Sequence, residues 1–176
     1  MDKFFIRLLN EADVNMLQRM SIETFVDTYG VYNTAENMQL HINQHFNTQQ
    51  LLSELLDKSN YFFAAFNGDE PAGYEKLRTS ENPQQLIGRK HIELERIYVL
   101  RDYQGMGLGY KMIRYCLDFA SVKSYELLWL GVWNQNKKAV QFYTKCGFEI
   151  FGEQAFMLGT DEQVDWLMKK ELNYAG

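Results

Sequence analysis

From Ile92 to Phe119 the chain changes pattern twice in quick succession, and few folds accommodate the change. Ile92 to Val99 alternates as a strand does, with Glu93, Glu95, Ile97 and Val99 on one side and Ile92, Leu94, Arg96 and Tyr98 on the other. Gln104-Gly105-Met106-Gly107-Leu108-Gly109 then sets glycine at every second position, and Tyr110 to Phe119 continues as an amphipathic helix. Without Cβ atoms the loop can turn sharply and a ligand can approach its backbone. Free N–H groups opening the helix, with the helix dipole behind them, suit a phosphate.

Two familiar glycine loops are disfavoured. A dinucleotide fingerprint needs G-x-G-x-x-G in a parallel βαβ unit with an acidic residue beyond it, and here the second gap is one residue. The P-loop string G-x-x-x-x-G-K-[ST] does not occur.

Further on, Leu127 to Trp133 reads as a buried strand that leads into Asn134-Gln-Asn136-Lys-Lys-Ala139-Val-Gln-Phe142-Tyr143-Thr-Lys145-Cys-Gly147-Phe148. Asn134 or Asn136 can cap a helix whose apolar face carries Ala139, Val140, Phe142 and Tyr143, and Gly147 can stop it in the left-handed conformation. On these grounds alone Tyr143 reads first as a core tyrosine with its hydroxyl satisfied at the rim.

The two segments together resemble the GNAT family of N-acetyltransferases. Gln104, Gly107 and Gly109 match its pyrophosphate motif Q/R-x-x-G-x-G/A, and Asn136, Ala139, Tyr143, Lys145, Gly147 and Phe148 match its N-x-x-A-x-x-x-Y-x-K-x-G-F signature in the expected order. The resemblance implies an α/β fold with a central, mixed, mostly antiparallel twisted sheet of about six to seven strands and about four to five helices. It also implies acetyl-CoA as cosubstrate, no metal, and direct attack of a primary amine in a ternary complex.

The same resemblance assigns residues. The backbone of Ile97, Tyr98 and Val99 would pair with the pantetheine arm, and Gln104, Gly105, Met106, Gly107, Leu108 and Gly109 would hold the pyrophosphate. Asn136 would bond the pantetheine region, and Lys145 of the same motif would also bind the cofactor. Tyr143 would protonate the departing thiolate and Glu95 would take the amine proton through water, with Glu93 as its rival. Met106 stands where the family often has a basic residue, so one phosphate contact is missing from the pattern.

Ser21 to Phe25, Asp27-Thr28, Glu93 to Tyr98, Trp129 to Trp133 and Gly159 to Lys169 extend the likeness to bacterial spermidine/spermine N-acetyltransferases of the PaiA type. That likeness makes Glu23, Asp27 and Glu95 anchors for a polycation and gives Tyr29 or Trp133 a cation–π face. An acetyltransferase of protein N-termini or lysines, and an idle acyl-CoA or polyamine binding module, are the competing readings.

The remaining pattern is consistent with one domain over residues 1–176. Apolar residues make up 46% of the chain, and no linker divides it. A strand over Lys3 to Leu9, a helix after Asn10, short helices opening at Thr34 and Asn47, and a hairpin through Asn67-Gly68-Asp69 come first. The second short helix takes Leu51, Leu52, Leu55 and Leu56 as its apolar face; residues 79–90 read as an exposed loop. Phe148 to Leu158 and Val164 to Leu172 close the chain as strands joined through Asp161 and Glu162. Cys116 and Cys146 read as buried thiols, and His41 and His45 lack a third metal ligand. A net charge of −5 offers no general attraction to nucleic acid. No apolar run reaches membrane-spanning length and no leader pattern opens the sequence, so the expected location is cytoplasmic. Trp166 and Tyr174 are candidates for a homodimer surface.

Overall fold

The computed structural model describes residues 3–172. Seven strands form one sheet in the order β1-β2-β3-β4-β5-β7-β6. They are β1 (Phe4–Leu8), β2 (Asn60–Asn67), β3 (Glu70–Arg78), β4 (His91–Val99), β5 (Leu127–Trp133), β6 (Glu149–Leu158) and β7 (Asp161–Glu171). Only β4 and β5 run parallel. Their connection is the crossover helix that parallel pairing requires, α4 (Leu108–Val122).

Local chemistry sets the helices. The Asn10 side chain accepts from Ala12 N–H and Asp13 returns the bond to Asn10 N–H, a capping box that opens a 3-10 turn before α1 (Val14–Tyr29). Thr34 caps α2 (Ala35–His45) and Asn47 caps α3 (Thr48–Leu56). In α1, Leu17, Met20, Ser21, Thr24 and Phe25 fall at helical spacing and are buried. They pack with Phe62, Ala64 and Tyr74 on one face of the sheet. The other face takes α4 and α5 (Lys137–Lys145) against Phe63, Ile92, Leu94, Leu128 and Leu130.

Four expectations change. The alternation of β4 breaks at Glu95, which has no cross-strand partner because Leu77 pairs with Leu94 and Lys76 with Arg96. This bulge leaves Glu95 and Arg96 on the same face. There Glu95 reaches Lys76 and Arg96 reaches Glu54, whereas Ile92 and Leu94 lie with Ile97 on the α4 face. Asp161 and Glu162 lie inside β7, paired with Leu158 and Met157, and the turn is the pair Gly159-Thr160. Leu56 is 59% exposed, because α3 ends there and only Leu51 is fully buried. Within residues 79–90, Pro83 and Leu86 are buried by packing at Gln84–Leu86.

Cys116 and Cys146 are free thiols, the first buried and the second half-buried. Trp166 is half-buried against the α4-face core, and Tyr174 lies outside the described residues. Among the described residues no helix is long and apolar enough to cross a membrane.

Candidate active site

Parallel pairing of β4 with β5 stops after three residues: His91, Ile92 and Glu93 face Leu127, Leu128 and Trp129. Beyond them the strands diverge. β4 stays bonded to β3 as far as Val99, and β5 to β7 as far as Trp133. The facing edges therefore open into a wedge whose backbone donors and acceptors are not spent on each other.

At the mouth of the wedge stands the glycine loop. Gly105 and Gly107 have φ of +76° and +78°, left-handed values that glycine adopts without strain. Gly107 is the N-cap of α4, and no side chain caps the helix. The N–H groups of its first turn are thus available to an anion. Gly109 allows α4 to pass close to α5, since a Cβ there would stand 3.2 Å from the Phe142 ring. Gln104 turns back, its side-chain amide donating to the Val99 carbonyl at 3.1 Å. Met106 is 52% exposed at the rim.

A cavity of about 170 Å³ fills the wedge. It gathers Asp27 and Tyr29 from α1, Glu95, Ile97, Tyr98 and Val99 from β4, Trp133 from β5, then Gln104, Asn136 and Tyr143. Glu23 is exposed on α1 and does not line this cavity; Lys145 is exposed in the last turn of α5. Of the two asparagines considered as caps, Asn136 is the one used: its Oδ1 accepts from Ala139 N–H at 3.2 Å, which leaves the amide nitrogen for another partner.

Burial, with a lesser influence from Tyr29, raises the Tyr143 hydroxyl well above the ordinary phenol value, so it stays protonated. Tyr29 is pushed up to about 12, chiefly by burial and then by Asp165. The rings of Tyr29 and Tyr32 approach Trp133 at 5.8 and 5.0 Å and make one aromatic wall.

Under this wall runs an ion network that local sequence does not announce. Lys76 bridges Glu54, at 2.8 Å, and Glu95; Arg78 binds Glu93 at 2.5 Å and Glu95 at 3.1 Å; Arg96 binds Glu54 at 3.1 Å. Burial pushes Glu95 upward, but Arg96, Lys76 and Arg78 together hold it below the usual carboxylate range. Glu93 goes the other way, because burial outweighs its bond to Arg78. Asp27 is taken by Arg101 at 2.8 Å. The His41 and His45 rings meet at 4.4 Å with a tilt of 41°, and among the described residues no group of three His, Cys, Asp or Glu is placed to hold a metal ion.

A wedge between parallel strands, with an uncapped helix N-terminus at its mouth, defines a site for a long ligand carrying phosphates at one end. Residues 18–148 match the Acetyltransferase (GNAT) family. An uncharacterised N-acetyltransferase of Lactobacillus delbrueckii subsp. lactis, from the pepI 3' region, is 34% identical over 93% of this chain and 95% of that relative. The crystal structure of PaiA N-acetyltransferase from Thermoplasma acidophilum with coenzyme A superposes with a TM-score of 0.77 at 22% identity, covering 96% of this chain and 98% of that one. The spermidine N-acetyltransferase of Vibrio cholerae, crystallised with CoA and spermine, gives 0.69 at 18% identity over 98% and 97% of the two chains. The chain belongs to the GNAT acetyltransferase family. It is an acetyl-CoA-dependent N-acetyltransferase, and the wedge and glycine loop fit that cosubstrate.

Proposed function

We propose that the protein acetylates a primary amine of a polyamine such as spermidine or spermine, by direct attack in a ternary complex. The observation that carries this reading is the cavity itself, lined by the aromatic faces of Tyr29 and Trp133 together with Glu95, Asp27 and Tyr143. Aromatic faces and carboxylates are the groups that receive a desolvated ammonium. The spermine-bound fold relative supports the choice of acceptor.

Acetyl-CoA supplies the thioester acyl group and a thiolate leaving group. In this reading the Ile97, Tyr98 and Val99 backbone pairs with the pantetheine arm, and an N–H of that stretch faces the thioester oxygen. The loop Gln104, Gly105, Met106, Gly107, Leu108 and Gly109 takes the pyrophosphate on its backbone N–H groups, which do not depend on the side chain at Met106. Asn136 offers its amide nitrogen to the arm, while Lys145, at the surface, has at most an outer electrostatic part. Tyr143, held protonated by its burial, gives its proton to the thiolate.

Glu95 stays ionised throughout the neutral range because of its cations, and that makes it a weak base. Its part is to orient the water that carries the amine proton away. Tyr29 and Trp133 flank the acceptor chain, while Asp27 stays with Arg101 at the cavity's edge.

Initial-rate kinetics with spermidine and acetyl-CoA varied together test the direct route. Intersecting double-reciprocal lines are expected; parallel lines would show an acetylated enzyme and overturn it.

A further inference from the structure

The acids first expected to anchor a cationic acceptor are already matched or exposed. Glu54, Glu93 and Glu95 share Lys76, Arg78 and Arg96, and Asp27 has Arg101. Glu23 is in solvent. A different acid lies beside the cavity with no cation against it.

Asp165 on β7 stands across from Trp133 on the β5–β7 ladder and across from Gln154 on the β6–β7 ladder. It is only 9% exposed. Among the described residues no Lys, Arg or His forms an ion pair with it, and the charge felt at it is a second carboxylate, Glu93. Burial first, and Glu93 second, push it up to about 6. A buried carboxylate with that surrounding is costly unless a cation arrives from outside.

Its aim is set by a glycine. A Cβ on Gly131 would stand 3.2 Å from Asp165 Oδ2 and 3.3 Å from Gln154 Nε2, so both polar groups close onto the bare backbone of Gly131. Gly131 lines the transfer cavity. Gln154 also lines a second, wider cavity of about 610 Å³, with Trp129, Arg78 and Gln85. Gly131 and Gln154 thus bring the linings of the two cavities into contact.

Resting on the acetyltransferase reading of the wedge, we propose that Asp165 binds a second cationic nitrogen of the acceptor at the Gly131 side of the transfer cavity. The acceptor class is then a diamine or longer polyamine, and Asp165 selects it over monoamines. A charge-assisted bond from ammonium to a buried, otherwise unmatched carboxylate is strong enough to make that choice.

The test is Asp165→Asn, nearly the same shape without the charge. KM and kcat are measured for putrescine and for butylamine, and calorimetry follows spermidine binding to the CoA-loaded protein. The expected result is a putrescine KM raised about tenfold or more, butylamine unchanged, and a matching loss of spermidine affinity. Equal changes for both amines, or none, would overturn the proposal.

Gly131→Ala, which sets a methyl against Asp165 Oδ2 and keeps the charge, should raise the putrescine KM more than the butylamine KM if Asp165→Asn folds poorly. A native protein that binds spermidine through Asp165 yet turns over no amine would remove the transferase reading and leave this subsite standing. A native protein that binds no polyamine at all would remove the subsite.

Discussion

Glu95 and Lys76 form a buried ion pair beneath the transfer cavity, and the same ammonium holds Glu54 at 2.8 Å. The bulge at Glu95 makes this possible by turning it and Arg96 to one face. Glu95→Gln would leave Lys76 and Arg78 each short of one anion, at a cost of about 2 kcal/mol near neutrality. Because the folded Glu95 is held below 4.5, its contribution is present above that value and disappears as pH falls through the folded pKa. Urea unfolding at neutral and acid pH should show the gap between native and variant closing below about pH 4.5. A gap independent of pH would mean the network does not hold Glu95 in this way. The variant should also lower turnover without moving any limb of the rate profile above pH 6, since Glu95 does not titrate there.

Tyr143→Phe removes a proton donor and little volume. Turnover should fall about 100-fold, with the calorimetric affinity for acetyl-CoA unchanged. A turnover number equal to the native one would take Tyr143 out of the acid role.

At Gly107 the obstacle to substitution is the backbone. Its φ is +78° and nothing lies within 4 Å of a Cβ built there, so a side chain meets strain instead of a clash. Valine tolerates that conformation badly and asparagine much better. Acetyl-CoA binding should weaken about tenfold or more in Gly107→Val and clearly less in Gly107→Asn. Equal affinities in the two variants would contradict a loop whose left-handed geometry forms the phosphate site.

Glu75 gives the protein a second pH signature. It is fully buried on β3, both carboxylate oxygens lack a hydrogen-bond partner, and burial, slightly relieved by Cys116, pushes it up to about 8. The folded value lies above the unfolded one of 4.5, so its contribution is complete below 4.5 and is lost as pH rises through the folded pKa. Glu75→Gln stays neutral throughout. Denaturant unfolding from pH 5 to 8 should find the variant gaining on the native protein by up to about 1.4 kcal/mol per pH unit. Parallel curves would mean that Glu75 ionises freely in the fold.

Features set by neighbouring residues were legible in the sequence. Thr34 and Asn47 begin helices because their own side chains accept the first free N–H groups, and Gly105 and Gly107 declare a left-handed loop wherever it is placed. Features set by distant strands were not. The bulge at Glu95 exists only in register with β3, and the wedge exists only because β4 and β5 part after Glu93. Asp165, between Val164 and Trp166, reads as an ordinary polar position on an alternating strand. Its burial and its approach to Gly131 come from β5, which is remote in the chain, and from the register with β6 across the Gly159-Thr160 turn.

The most direct measurement is the initial rate of acetyl-CoA-dependent thiol release with spermidine, spermine, putrescine, a lysine peptide and an aminoglycoside compared side by side. Saturable turnover confined to the polyamines is the predicted result. Turnover with the peptide or the aminoglycoside instead, or none with any of them despite acetyl-CoA binding, would contradict it.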